Sequence, residues 1–186
     1  MSSPRIIAFD LDGTLVDTAP DLIAALNHVL TREGLQPVPL KSARNMIGAG
    51  ARKMIERGLE LDDLRGRGYR FAVCTNKLEW LSKLLLDRLG MSSRFAAICG
   101  ADTFGVAKPD PAILQQTLAR AGGSTSAAIM VGDAGPDVGV ARRAGVPVIG
   151  VEFGYTDVPI AELKPDRLIG HMRDLPAAVE SLMKST

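Results

Sequence analysis

The chain has 186 residues, of which 46% are hydrophobic, so it is long and apolar enough to bury one core of domain size. Its 22 basic and 21 acidic residues leave a net charge of +1, and no run of Lys and Arg alternates with aromatic residues. A polyanion such as nucleic acid is therefore not expected as a partner.

Cysteine usage and the amino-terminal sequence bear on the cellular compartment. Cys74 and Cys99 are the only cysteines, and each lies in an apolar run, which predicts buried thiols rather than a disulfide framework. The apolar run 6–9 is too short for a signal sequence, and no stretch approaches the length of a membrane span. We therefore expect a cytoplasmic protein without a membrane anchor.

Short apolar runs typical of buried parallel strands recur along the chain, with helical patterns between them. The predicted strands cover 5–10, 69–74, 96–99, 127–132 and 147–151, with a weaker candidate at 167–170. The predicted helices begin with one from Thr18 that stops at Gly34, and continue at 42–57, 78–89, 111–121, 136–144 and 174–184. This alternation predicts an α/β fold with a parallel sheet and right-handed crossovers.

The connection between the first two predicted strands, from Leu11 to Gly68, is too long for a simple crossover. We interpret 18–64 as a small helical cap inserted over the strand ends, and 1–17 together with 65–186 as the core domain. Two helices packed on the surface are the alternative, and length alone does not separate the two interpretations.

Two carboxylates, Asp10 and Asp12, leave the end of the first predicted strand together. Ligands of open α/β sheets bind where strand ends open into loops, and Gly13 allows the backbone to turn tightly there. Such a pair can hold a cation, attack an electrophile and move protons. An acidic turn that caps a helix is the alternative interpretation.

Three later segments place further polar side chains just after a strand or just before a helix. Their candidate residues are Thr75, Lys108, Asp133 and Asp137. Taken alone, Thr75 would be a helix cap and Lys108 a solvated surface lysine. Their shared placement at strand ends predicts one site that also contains Asp10 and Asp12.

The four segments, in this order, resemble the motifs of the haloacid dehalogenase-like hydrolase superfamily, and specifically of its phosphoglycolate phosphatase branch. The matching stretches are Asp10-Leu-Asp-Gly-Thr-Leu, Cys74-Thr-Asn, Lys108-Pro, and Gly132-Asp with Asp137. Similarity to the branch extends to Ile47-Gly-Ala-Gly50, Tyr69 to Lys77, and Phe153 to Leu175. The resemblance implies a Rossmann-like parallel sheet flanked by helices, with a cap inserted after the first strand.

The resemblance also implies Mg²⁺-dependent hydrolysis of a phosphomonoester through an aspartyl-phosphate, with 2-phosphoglycolate as the expected substrate. Asp10 would be the nucleophile, and Asp12 would offer its backbone carbonyl to the metal and its side chain as acid and base. The expected metal ligands are Asp10, Asp12, Asp133 and Asp137, the last steadying the shell around the ion. The expected substrate-binding residues are Thr75, Asn76 and Lys108, with Arg52 as a candidate for the substrate carboxylate.

Two features depart from the family pattern. Ala134 stands where the branch commonly carries serine, which removes one hydroxyl near the metal loop. The inserted region has room for about two helices, because an ordinary helix takes roughly a dozen residues plus its loop. The cap is therefore either naturally short or lacks a segment near Leu59 to Asp63.

Other functions remain open at this point. Another phosphatase of the superfamily, or a β-phosphoglucomutase-like phosphotransferase, would share the same motifs. A phospho-accepting receiver domain also uses strand-end Asp residues, Mg²⁺ and Lys, but has no use for Asp-x-Asp-Gly-Thr after its first strand. A binding module that lost its activity is the third alternative. The partner expected in each enzymatic case is a small phosphorylated metabolite, and the oligomeric state is not readable from the sequence.

Overall fold

The computed structural model describes residues 4–18 and 61–183, together with the single residues 24, 27, 28, 31, 32, 34 and 36. Six parallel strands form one sheet in these parts of the chain. They are β1 (Ile6–Phe9), β2 (Arg70–Cys74), β3 (Phe95–Cys99), β4 (Ala128–Gly132), β5 (Val148–Val151) and β6 (Arg167–Ile169). The predicted strands are confirmed, and each predicted end lies within one residue of the observed end.

The strand order in the sheet is β3-β2-β1-β4-β5-β6. In this order β1 lies between β2 and β4. The chain places β2 and β3 on one side of β1 and then returns to place β4, β5 and β6 on the other side. A crevice opens at such a switch point at the carboxyl ends of the strands, and ligands of open α/β sheets bind there. The sheet therefore directs the residues after β1 and β4 toward one crevice.

Four helices follow the strands within the described residues. They are α1 (Glu79–Arg88), α2 (Pro111–Arg120), α3 (Gly135–Ala144) and α4 (Leu175–Met183). Each agrees with its predicted range to within about one residue at the described ends, which is the usual uncertainty of helix boundaries. The prediction at 42–57 lies outside the described residues.

The beginning of the inserted region is described only at isolated positions. Residues 24, 27, 28, 31 and 32 are helical, and Gly34 has a φ of 70°. A left-handed glycine of this kind commonly ends a helix, as predicted for this position. The proposed cap boundaries stay predictions.

Side chains of the central strands are buried on both faces of the sheet. Ile7 and Phe9 of β1 belong to one apolar cluster, whereas Ile6 and Ala8 belong to the cluster on the opposite face. All four are fully shielded from solvent, which explains why β1 has a continuous apolar sequence rather than an alternating one.

A short helical segment at 61–66 precedes β2 and packs on the first of these clusters. Leu61 and Leu64 are fully buried there, together with Phe71 of β2. The segment therefore contacts the core directly, and its first four residues belong to the predicted cap range 18–64, a boundary that stays a prediction. None of the helices that the structure describes has the length and apolarity that a bilayer crossing requires.

Candidate active site

The end of β1 places Asp10 beside a buried lysine. The Asp10 amide donates to the Val131 carbonyl at 2.9 Å, which continues the pairing between β1 and β4 for one more residue. Lys108, in the loop before α2, donates from Nζ to Asp10 Oδ1 at 2.6 Å and to Asp137 Oδ1 at 2.6 Å. The Lys108 side chain is only 2% exposed, so its ammonium is held by these two carboxylates rather than by water.

Two further carboxylates come from the end of β4 and the first turn of α3. Asp133 accepts from Thr14 Oγ1 at Oδ1 and from the Tyr155 amide at Oδ2, both at 2.9 Å. Asp137 Oδ2 accepts from the amides of Asp133 and Ala134 at 3.1 and 3.0 Å. Asp137 therefore caps the start of α3 with its side chain, at the positive end of the helix dipole.

The three acids Asp10, Asp133 and Asp137 each offer an oxygen within 4.8 Å of the others, and all are buried. Burial raises the pKa of Asp10 to about 7, although Lys108 opposes the shift, and raises the pKa of Asp133 to about 6. Burial opposes protonation of Lys108, but attraction to Asp10 and Asp137 outweighs it and raises the pKa of that ammonium. In this cluster three carboxyl groups surround the single ammonium of Lys108.

This excess of carboxyl groups over ammonium groups fits a bound divalent cation. Three buried carboxylates face one ammonium, and uncompensated charge in a protein interior is costly. Carboxylate oxygens are the hard ligands that Mg²⁺ prefers, and these residues include neither His nor Cys. From the described residues Asp137 accepts three hydrogen bonds, whereas Asp133 accepts two and Asp10 one, so Asp10 and Asp133 keep more lone pairs for a cation.

Asp12 leaves the same strand end but directs its carboxylate elsewhere. Its Oδ1 accepts from Thr18 Oγ1 at 2.6 Å and from Lys77 Nζ at 3.2 Å. Directly after Asp12 the chain turns at Gly13, which has a φ of 87°. A Cβ atom at Gly13 would lie 2.5 Å from an oxygen of Asp133, so the turn requires glycine for space as well as for conformation.

Thr75 and Asn76 lie in the loop between β2 and α1. Thr75 is 2% exposed, and its hydroxyl accepts from the Lys77 amide at 3.2 Å. Asn76 makes two bonds to the backbone of Lys108: Oδ1 accepts from the amide at 2.8 Å and Nδ2 donates to the carbonyl at 3.0 Å. Asn76 thus fixes the loop that carries Lys108, and its expected contact with substrate stays a prediction.

The structure brings Asp10, Lys108, Asp133 and Asp137 into direct contact or close proximity, and Arg52 lies outside the described residues. Sequence reasoning gave no role to Thr14, Lys77 or Tyr155, although all three contact acids of the site. Thr14 stands inside the first quoted motif, and Lys77 and Tyr155 lie in the stretches similar to the phosphoglycolate phosphatase branch, which is the signal that could have found them. Only the fold shows that the loop after β5, which carries Tyr155, returns to the acids.

This chain matches the sequence model of a protein family, the haloacid dehalogenase-like hydrolases, over residues 7–60 and 58–151. Curated relatives include a phosphoglycolate phosphatase of Caulobacter vibrioides, 40% identical over 96% of this chain and 92% of that protein. A phosphoglycolate phosphatase of Agrobacterium fabrum is 41% identical over 97% of this chain and 94% of its own length.

Solved structures give the same result for the fold. The crystal structure of a predicted phosphoglycolate phosphatase from Haemophilus somnus has a TM-score of 0.80 at 25% identity and covers 96% of this chain and 99% of its own. A predicted phosphatase from Clostridium acetobutylicum has a TM-score of 0.79 at 20% identity, over 97% and 100% of the two chains.

The alignments also contain a gap. The match to the Caulobacter protein extends over 218 positions although this chain has 186 residues, so at least 32 positions of the relative have no counterpart here. The two ranges of the family match meet at 58–60, in the connection between β1 and β2.

The family match covers well over half of the sequence, and with these relatives it shows that the chain belongs to the haloacid dehalogenase-like hydrolases.

Proposed function

We propose that this chain is a Mg²⁺-dependent phosphoglycolate phosphatase in which Asp10 is the nucleophile. The single observation that carries the proposal is the buried ammonium of Lys108, bonded to both Asp10 and Asp137 beside Asp133. The curated relatives named phosphoglycolate phosphatase support the choice of substrate. The small leaving group, glycolate, distinguishes this reaction from that of other phosphatases in the family.

The electrostatics suit attack by a carboxylate on a phosphate ester. Both groups are anionic, so the approach of Asp10 to phosphorus requires positive charge around the phosphoryl oxygens. Lys108 lies 2.6 Å from Asp10 Oδ1 and is a compact charge that does not require a fork-shaped partner. Bound Mg²⁺, held by Asp10, Asp133 and the Asp12 carbonyl, would supply the remaining charge neutralisation.

Two proton transfers complete the reaction, and Asp12 performs both. As Asp10 forms its bond to phosphorus, the ester P–O bond breaks and the departing alkoxide takes a proton from Asp12, which yields glycolate. Asp12 then accepts a proton from a water molecule that attacks the aspartyl-phosphate, which releases inorganic phosphate and restores the Asp10 carboxylate. Proton transfer by a positioned side chain contributes about 10² to 10⁴ in rate.

The thiols fit a reducing compartment, which is consistent with our proposal of a cytoplasmic enzyme. Cys74 and Cys99 are adjacent in register on β2 and β3, are both buried and are both free. Disulfides are rare in the cytosol of mesophiles.

The test compares wild type with Asp10→Asn on 2-phosphoglycolate and on p-nitrophenyl phosphate, each with excess Mg²⁺ and with a chelator. We expect Asp10→Asn and metal removal each to lower kcat by about 10³ or more, since nucleophile and metal act as one unit. Asp87→Asn, the same change on the exposed face of α1, is the matched control and should retain full activity. Retention of turnover by Asp10→Asn would refute the assigned nucleophile.

A further inference from the structure

The carboxylate of Asp12 is held by a set of side chains that is separate from the Lys108 cluster. We propose that Lys77 and Tyr155 are positioning residues that hold this carboxylate where it can exchange a proton with the leaving group. The inference rests on the proposed function, because it concerns the proton that the departing alkoxide takes up.

Lys77 contacts Asp12 directly. Its Nζ lies 3.2 Å from Oδ1 and 3.4 Å from Oδ2, so one ammonium faces both oxygens of the carboxylate. The two side chains are 20% and 25% exposed, so the pair is partly shielded from water. Because one ammonium contacts both oxygens, it fixes the orientation of the Asp12 carboxylate as well as compensating its charge.

The backbone of Lys77 is itself fixed to the site. Its amide donates to Thr75 Oγ1 at 3.2 Å, in the turn between β2 and α1. Thr75 is buried at the end of β2, and its amide donates to the Cys99 carbonyl of β3 at 3.1 Å. The origin of the lysine side chain is therefore set by the sheet, which leaves only the flexible stem to adjust.

Tyr155 acts on the same acid through Thr18. Thr18 Oγ1 donates to Asp12 Oδ1 at 2.6 Å, and the Thr18 amide donates to the Tyr155 hydroxyl, also at 2.6 Å. The hydroxyl in turn donates to the Val16 carbonyl at 3.3 Å. The Tyr155 hydroxyl thus connects the Val16 carbonyl with the Thr18 amide. Thr18 is only 3% exposed.

The two ammonium groups of the site, those of Lys108 and Lys77, contact different acids. Lys108 contacts Asp10 and Asp137, where the phosphoryl group would bind, whereas Lys77 contacts Asp12, where the leaving group would depart. A proton moves efficiently only between heavy atoms about 3 Å apart, and a misplacement of about 1 Å costs about 10² in rate. Loss of either positioning residue should therefore affect leaving-group protonation more than phosphoryl binding.

The test uses Lys77→Met, which keeps the length of the side chain without its charge, and Tyr155→Phe, which removes one oxygen. Single-turnover rates are measured on 2-phosphoglycolate, whose alkoxide requires a proton, and on p-nitrophenyl phosphate, whose nitrophenolate leaves without one. We expect both variants to lose about tenfold or more on 2-phosphoglycolate with KM within about twofold of wild type. Release of nitrophenolate in the first turnover should stay within about threefold of wild type.

Two controls separate positioning from general damage. Lys77→Arg restores the charge and should recover most of the loss, whereas Lys83→Met makes the same change on the exposed side of α1 and should have no effect. Melting curves verify that each variant is folded, and Tyr155→Phe keeps the amide that bonds Asp133. Equal losses on both substrates, no loss on either, or a rise in KM for 2-phosphoglycolate alone would each overturn the inference. Failure of the proposed function would instead appear as absence of wild-type turnover.

Discussion

Lys108 shows how a single buried residue determines the charge state of its neighbours. Its ammonium is enclosed by Asp10 and Asp137, and attraction to them raises the pKa of Lys108, whereas Asp137 repels the Asp10 carboxylate and raises the pKa of that acid. Removal of one partner from a buried ion pair commonly costs about 3 to 5 kcal/mol, because the remaining charge loses its compensation. The carboxylates nevertheless outnumber the ammonium, and this imbalance gives the metal-free protein a predictable response to pH.

We predict that Mg²⁺ raises the melting temperature more at pH 8 than at pH 5. The pKa values of Asp10 and Asp133 are raised from 3.8 to about 7 and about 6 in the folded protein. A raised carboxyl pKa contributes stability that is full below the unfolded-chain value and is lost as pH rises through the folded value. Without metal, stability should therefore fall between about pH 4 and pH 7. Mg²⁺ binds the ionised carboxylates and offsets this loss.

Thermal unfolding followed with excess Mg²⁺ and with a chelator at both pH values measures the effect. Asp133→Asn removes one of the titrating groups and should reduce the difference between the two pH values. An identical Mg²⁺ stabilisation at pH 5 and pH 8 would contradict the prediction.

At the scale of structural elements, the loop after β5 controls the position of a proposed metal ligand. A Cβ atom at Gly154 would lie 2.1 Å from the Cβ of Asp133, far inside van der Waals contact. The next residue, Tyr155, donates its amide to the same carboxylate. The loop can therefore hold Asp133 closely only because residue 154 has no side chain.

We predict that Gly154→Ala lowers the affinity for Mg²⁺ by about tenfold or more, since it displaces Asp133 or separates it from the Tyr155 amide. Titration of Mg²⁺ against phosphatase activity and against melting temperature measures the change. Gly66→Ala is the matched control, because a Cβ atom at Gly66 meets nothing within 4 Å and the residue is helical. That variant should leave metal affinity unaltered and stabilise by up to about 1 kcal/mol. Unchanged metal affinity in Gly154→Ala would contradict the assigned role of the loop.

The elements differ in how much of them the sequence reveals. The strand ranges follow from continuous apolar runs such as 128–132, and α3 begins at Gly135 and Pro136 because the motif places proline in a first helical turn. Motif order also predicts which acids share an edge of the sheet. The contact between Thr18 and Tyr155 was not predictable, because the two residues are 137 positions apart and meet only through the path of the loop after β5.

At the scale of the whole molecule, the described residues form one parallel sheet with its flanking helices, and the family match divides in the connection between β1 and β2. At least 32 of the 218 aligned positions in the Caulobacter protein have no counterpart here. The proposed phosphoryl and metal residues all lie in the core, so the chemistry does not require the additional residues. The inserted region of such enzymes is instead expected to contact the leaving group and to exclude water.

We therefore predict that the short connection lowers selectivity without abolishing catalysis. Insertion of the unmatched segment of the Caulobacter relative between residues 60 and 61 should raise the ratio of kcat/KM for 2-phosphoglycolate over p-nitrophenyl phosphate by about tenfold or more. The reason is that closure adds contacts that a small carboxylated substrate can make and a bulky aryl ester cannot. The same insertion in Asp10→Asn should remain inactive on both substrates. A well-folded insertion variant with an unchanged ratio would show that selectivity resides in the core, where Lys77 and Tyr155 already surround the leaving-group side of Asp12.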